Sequence, residues 1–163
     1  MKRLLTSCFG LGWLPVAPGS WGSLPPTIIF AVMCYSGASA VLISAVLVAL
    51  ALAGSIVCVK FATAVIAETG NDDPGEIVTD EIAGQSVTFL ATGFLAVETF
   101  STWQILGTAA LGFFLFRLLD TIKPWPIRNL EKLPEGWGVL TDDLMAGVYA
   151  GIIFTFCLLL WIR

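Results

Sequence analysis

Residues 38–59 read ASAVLISAVLVALALAGSIVCV, an unbroken apolar run without one charged side chain. An α-helix needs about 20 residues to cross the hydrocarbon layer of a bilayer, and this run meets that length. It lacks the two-residue alternation of a barrel strand, so a membrane helix is expected. Further apolar runs follow the same logic at residues 26–35, 82–97, 103–121 and 143–162. The first is short: it either spans with help from the preceding segment or re-enters, with Ser36 and Gly37 making the turn into the next helix. The expected fold is therefore all-α, a polytopic membrane bundle of about four to five transmembrane or re-entrant helices, with residues 1–163 as a single integral membrane domain.

Upstream of these runs, residues 9–26 read FGLGWLPVAPGSWGSLPP. Such a density of Gly and Pro predicts a loop and no regular helix. The basic start Met1-Lys2-Arg3 is not followed by the apolar core and cleavage site of a signal peptide, so it is expected to remain in the mature chain.

Composition agrees with a membrane setting: 57% of residues are hydrophobic and 12% charged, with a mean hydropathy of +0.90. The net charge is −4 and only eight Lys and Arg are present, which argues against a nucleic-acid partner. Cys8, Cys34, Cys58 and Cys157 are widely spaced and there is no histidine, so neither a zinc site nor a disulfide framework is indicated. Cys157 and Arg163 match a bare C-x5-R spacing, but the residues between them are apolar and cannot cradle phosphate.

The acidic residues gather where the apolar runs end: Asp72, Asp73, Glu76, Asp80 and Glu81; then Asp120; then Asp142 and Asp143. Carboxylates at membrane depth persist when they pair, bind a metal or serve a pathway. Basic residues favour the cytoplasmic side. With the N-terminus inside and all five segments crossing, Lys2, Arg3, Lys60, Lys123, Arg128 and Lys132 lie inside, with Arg117 near that face, and only Glu98 and Arg163 fall outside. The same arrangement brings all three acidic clusters to the cytoplasmic face, and they share a face even if the first segment re-enters.

Two stretches resemble each other, TDEIAG at 79–84 and TDDLMAG at 141–147. In each an Asp stands four residues before a Gly, so Asp80 shares a helix face with Gly84, and Asp143 with Gly147. A glycine one turn from a carboxylate lets a second helix approach closely, which would build an oxygen cage from two helices. The simpler account makes Thr79 and Thr141 N-caps and the acids dipole partners. In the third piece, FRLLDTIKPWPIR at 116–128, Arg117, Asp120 and Lys123 are spaced by three, either as an ion-pair ladder or as a phosphate site that ends at Pro124. Ser20, Gly22 and Ser23 offer backbone N–H groups and hydroxyls as a weak phosphate cradle. For any metal at these residues, oxygen-only ligands point to Mg²⁺.

On GSWGSL at 19–24, IVTDE at 77–81, the KPWP core at 123–126 and the DD-to-Gly stretch at 142–147, the chain resembles the phosphatidylglycerophosphatase A family, integral membrane lipid phosphatases. The resemblance implies Mg²⁺-dependent hydrolysis of phosphatidylglycerol phosphate to phosphatidylglycerol and phosphate, in phospholipid biosynthesis, at the cytoplasmic face of the bacterial inner membrane. It implies Asp80, Glu81, Asp120, Asp142 and Asp143 as metal ligands or bases. Arg117 and Lys123 become phosphate binders, and Ser20, Gly22 and Ser23 the loop around the headgroup. It transfers no role to Asp72, Asp73 or Glu76. Without histidine or a D-x-D motif, the histidine-nucleophile and aspartyl-phosphate routes are disfavoured, leaving a metal-activated water or an Asp nucleophile. Two other readings stand beside the phosphatase: an ion-coupled transporter or small channel with an acidic cytoplasmic cation site, and a lipid-binding subunit without turnover. The sequence sets neither the oligomeric state nor the preference among phosphatidylglycerol phosphate, phosphatidic acid and a polyprenyl phosphate.

Overall fold

A computed structural model describes residues 1–71, 74–94, 100–134 and 136–161. The expected side for Glu98 and Arg163, and the placement of Asp72 and Asp73, lie outside the described residues. Among the described residues seven α-helices follow one another: α1 (Lys2–Thr6), α2 (Pro18–Tyr35), α3 (Ala40–Thr69), α4 (Thr79–Leu90), α5 (Thr102–Ile122), α6 (Ile127–Leu130) and α7 (Gly136–Trp161). Short 3-10 turns occupy Leu11–Trp13 and Ala91–Phe94, and no strand occurs among the described residues. The all-helical expectation is met.

Among the described residues three helices, α3, α5 and α7, are long and apolar enough to cross a membrane. They pack into one bundle with α2 and α4, in which α2, α4 and α7 run one way and α3 and α5 the other. Phe30 and Cys34 of α2 pack with Ile43 and Leu47 of α3, Ile105 of α5 and Leu158 of α7 at one end. At the other end Ala62 and Val65 of α3 meet Ile77, Ala83 and Val139. Phe89 stacks on Phe30 at 4.4 Å and meets Phe154 edge-on at 5.8 Å, closing the bundle's middle with aromatic rings. Large apolar side chains such as Leu52, Ile56, Phe114, Leu118, Ile152 and Phe156 face outward, which a membrane accommodates and water does not.

The boundaries depart from the sequence reading in four places. The expected loop at 9–26 is helical from Pro18 onward. Pro18 occupies the first turn, where no N–H is needed, and α2 carries Pro25 and Pro26 in its interior. Tertiary packing overrides the propensity there, because Gly19 and Gly22 let α2 lie directly on the start of α4. The second helix runs past Lys60 to Thr69 and stops at Gly70, whose φ of 68° makes the left-handed cap. The last helix begins at Gly136, so Asp142 and Asp143 sit in its second turn and not at its start.

The fourth departure concerns α4, expected as a near-spanning segment over 82–97; residues 95–97 lie outside the described residues. At 12 residues α4 is about 18 Å long, too short to span. Each side chain of α4 is buried or half-buried, including Gln85, Ser86 and Thr88. Its neighbours meet it through glycines: Gly22 of α2 faces Val78 and Glu81, Gly54 of α3 faces Thr79 and Ala83, and Gly147 of α7 faces Gly84. α4 is the central helix of the bundle, shielded from lipid. This shielding explains how it tolerates polar residues that a lipid-facing helix would not.

Candidate active site

The start of α4, the end of α5 and the second turn of α7 meet at one end of the bundle, as the acidic pattern predicts. A cavity of ≈220 Å³ opens there, walled by Pro18 and Gly19 of α2, Asp80 and Glu81 of α4, Arg117 and Asp120 of α5, Lys123, and Asp142 and Asp143 of α7. The close crossing of α4 and α7 sets its floor. A side chain at Gly147 would collide with the Gly84 carbonyl, and one at Gly84 would meet the Asp143 carbonyl and the Phe116 ring. The glycine one turn from each Asp is what brings two carboxylate-bearing backbones together.

Asp80, Glu81 and Asp143 each place a carboxylate oxygen within 4.8 Å of the other two. Asp80 and Asp143 are buried, and the Glu81 side chain is 14% exposed. The Oε2 of Glu81 and the Oδ2 of Asp143 are buried without a hydrogen-bond partner. Burial pushes the Glu81 carboxyl well above the ordinary carboxylate range. The Asp143 and Asp120 charges push the same way, against a hydrogen bond with Asp80 and the attraction of Arg117. Like charges this close need a cation or a proton between them. The all-oxygen donor set, with two buried oxygens unsatisfied, fits a hard divalent cation.

The other two carboxylates face the basic side chains. Arg117 Nη1 lies 2.8 Å from Asp120 Oδ2 and 3.9 Å from Glu81 Oε1. Lys123 Nζ lies 2.7 Å from Asp142 Oδ2 and 3.1 Å from Glu131 Oε1. The remaining oxygen of Asp142, Oδ1, accepts the Asp143 backbone N–H at 3.0 Å, so both of its oxygens are engaged. Lys123 closes α5 with φ 46°, its N–H bonded to the Leu119 carbonyl at 2.8 Å. A left-handed lysine costs about 1–2 kcal/mol. Such strain persists where surrounding contacts fix it, here two carboxylates.

The expected phosphate cradle is only partly at the cavity. Gly19 forms its wall, and a Cβ there would strike Glu81 and the Arg117 guanidinium. Gly22 and Ser23 lie in the α2–α4 interface, where the Ser23 hydroxyl donates to the Gly19 carbonyl at 2.9 Å. The Ser20 N–H bonds the Ala17 carbonyl in the first helical turn. Neither threonine is an N-cap: α4 starts after Val78, and the Thr141 hydroxyl donates to the Trp137 carbonyl inside α7. Glu76 is drawn away, accepting from Arg3 at 2.8 Å and from the Trp13 indole at 3.1 Å. Pro18, Ile77 and Thr121, which lie within stretches the sequence singled out, also line the cavity, as do Gly75 and Val139, which carry no sequence signal of their own. Gly19 did carry one, as the first glycine of the GSWGS stretch.

Fold and site together describe a polytopic helical membrane protein with a carboxylate cluster and two cations around one end cavity. The sequence profile of the phosphatidylglycerophosphatase A family matches residues 4–158, and the chain belongs to this family of phosphatase enzymes. It is 37% identical to a phosphatidylglycerophosphatase A of Haemophilus influenzae over 98% of this chain and 89% of that protein. It is 35% identical to one of Escherichia coli over 93% of this chain and 81% of that protein. A Bacteroides thetaiotaomicron protein provisionally named a phosphatidylinositol-3-phosphatase is 33% identical over 92% of this chain and 89% of its own length. No solved structure matches the chain.

Proposed function

We propose that this protein hydrolyses phosphatidylglycerol phosphate to phosphatidylglycerol and inorganic phosphate, with Mg²⁺ held by Asp80, Glu81 and Asp143. The observation that carries the reading is the single cavity in which those carboxylates face Arg117 and Lys123. The names of the Haemophilus and Escherichia relatives supply the substrate, and the Bacteroides relative marks the competing one. When bound, the metal supplies charge stabilisation at phosphate oxygens and a more acidic water.

The chain's own residues do the rest. Among the described residues Arg117 and Lys123 are the cations that line the cavity, and they bind the phosphate monoester's oxygens. Asp120 and Asp142 hold those two side chains in place through their ion pairs, and so position the phosphate without touching it. Gly19 lets α2 lie directly against Glu81 and Arg117, since a Cβ there would strike both. In the reaction the bond from phosphorus to the lipid oxygen breaks, a bond from phosphorus to the water oxygen forms, and the lipid oxygen leaves as a hydroxyl. The unpartnered Oε2 of Glu81 is available to take the water's proton and to return it to the departing lipid oxygen, which closes the proton balance.

Further support comes from the closed middle of the bundle. The Phe30, Phe89 and Phe154 rings fill the middle, and the charged residues of the cavity lie to one side of them, as suits a surface-facing enzyme more than an ion pathway. Lys2, Arg3, Lys123, Arg128 and Lys132 belong to that same end, which favours a cytoplasmic site in the inner membrane. The full chain forms the domain in this reading. Its test is phosphate release from a panel of lipid phosphates by the purified chain in micelles. Release from phosphatidylglycerol phosphate should need Mg²⁺, stop with EDTA, and fall about 100-fold or more in Asp80→Asn and Asp143→Asn. An unchanged rate in both variants, or preference for phosphatidylinositol 3-phosphate, would sink it.

A further inference from the structure

The segment ahead of α2 reaches the cavity through one short stretch, residues 74–78. Gly75 and Ile77 of that stretch line the cavity, and Asp80 and Glu81 follow it in the first turn of α4. Glu76 stands between the two lining residues but joins the N-terminal segment instead. Its Oε2 accepts from Arg3 Nη2 at 2.8 Å, from Arg3 Nε at 3.1 Å and from the Trp13 indole N–H at 3.1 Å. Backbone contacts link the same two segments. The Val78 N–H donates to the Thr6 carbonyl at 2.9 Å. Gly12 lies so close that a Cβ there would strike the Glu76 carbonyl and press on Val78.

This grip falls on a helix that has no cap of its own. Ser39 and Ser101 cap α3 and α5 by accepting a first-turn N–H, whereas Val78, ahead of α4, makes no such side-chain bond. An unsupported terminal turn is the part of a helix that frays. In α4 that turn carries Asp80 and Glu81, two of the three clustered carboxylates, and fraying would draw both away from Asp143 of α7. An ion pair made by an exposed arginine adds little to global stability. The guanidinium fork and the indole, however, give the Glu76 carboxylate one orientation.

We infer that Glu76 is a positioning residue for the carboxylate cluster: its clamp by Arg3 and Trp13 stands in for the missing cap and holds the first turn of α4 where Asp80 and Glu81 meet Asp143. The inference rests on the metal reading above and deepens it, because the N-terminal segment then helps to set metal affinity. Arg117 and Lys123 lie outside the clamp, so phosphate binding is not its target.

The clamp can be read without turnover, in the full-length chain in micelles, by hydrogen exchange and by Mn²⁺ titration followed by electron paramagnetic resonance. In Glu76→Ala and in Arg3→Ala, amides of residues 76–82 should exchange about ten-fold faster or more, with those of α5 and α7 unchanged. The Mn²⁺ dissociation constant should rise about five-fold or more, less than the roughly 10–100-fold expected where a residue bonds a metal ligand directly. The double variant should be no worse than either single one, since both remove the same contact. Arg3→Lys should recover part of the affinity. Trp13→Phe, which keeps the ring and removes the N–H, should move both readings in the same direction. Lys2→Ala removes an exposed neighbouring charge and should leave both at wild-type values. In the hydrolysis assay the half-saturating Mg²⁺ should rise in Glu76→Ala, while KM for lipid phosphate at saturating Mg²⁺ stays within about two-fold. Unchanged exchange at residues 76–82 overturns the clamp. Faster exchange with unchanged Mn²⁺ affinity makes the contact structural only and overturns the positioning role, with the phosphatase reading intact. A wild-type chain that binds no Mn²⁺ sinks the metal reading, and this inference with it.

Discussion

Lys123 carries more of the site's order than its place in a proline-ended motif suggests. Its ammonium joins the buried Asp142 to Glu131, and its left-handed backbone turns the chain at the cavity's edge. Lys123→Met would leave a buried carboxylate without its cation, and stability in detergent should fall by about 3 kcal/mol. Adding Asp142→Asn should recover most of that loss without recovering phosphate release. Unfolding curves for the two variants decide the matter; equal curves for wild type and Lys123→Met would show that the pair does not hold the fold. Gly19→Ala tests the opposite wall. Its new methyl group must displace Glu81 and the Arg117 guanidinium, so KM for lipid phosphate should rise. An unaltered KM would mean that α2 does not shape the site.

The crossing of α4 and α7 joins chemistry to packing. Gly84 and Gly147 face each other across it, and Asp143 follows the approach they permit. Gly147→Val should cost about 1–3 kcal/mol through overpacking and, by pushing the backbones apart, remove most metal-dependent turnover. Mg²⁺ titration of lipid-phosphate hydrolysis should then show a higher half-saturating concentration, and an unchanged one would argue against a two-helix cage. The spacing of Asp to Gly in TDEIAG and TDDLMAG makes this crossing legible in the sequence alone. The starts of α2 and α7 were not legible. Pro25 and Pro26 argue against a helix by every local rule, and Gly136 and Gly138 give no apolar period; packing against α4 and α3 decides both.

Across the bundle, aromatic residues mark two levels. Trp13, Trp21, Trp125 and Trp137 are exposed at the site end, and Tyr35, Trp103 and Trp161 at the other, as expected for rings at the two faces of a bilayer. If α2 crosses as its length suggests, the turn at Ser36 and the loop at Asn129 lie on opposite sides. Single cysteines placed at these positions, in a chain with Cys8, Cys34, Cys58 and Cys157 replaced, should react with an impermeant maleimide from opposite faces of membrane vesicles. Reaction from one face alone would make α2 re-entrant and reverse the side assigned to the site.

The sequence by itself determined that this is an all-helical membrane chain whose acidic clusters share one face, because uniform apolar runs and the positions of charge are local, one-dimensional signals. It also marked Asp80, Glu81, Asp120, Asp142, Asp143, Arg117 and Lys123 as candidate site residues. Only the tertiary structure divided that set, gathering Asp80, Glu81 and Asp143 into a cluster and setting Asp120 and Asp142 against Arg117 and Lys123. Which carboxylate meets which partner depends on helix phase and on how close two backbones can come. That closeness is fixed by glycines on different helices, a relation no single stretch of sequence contains.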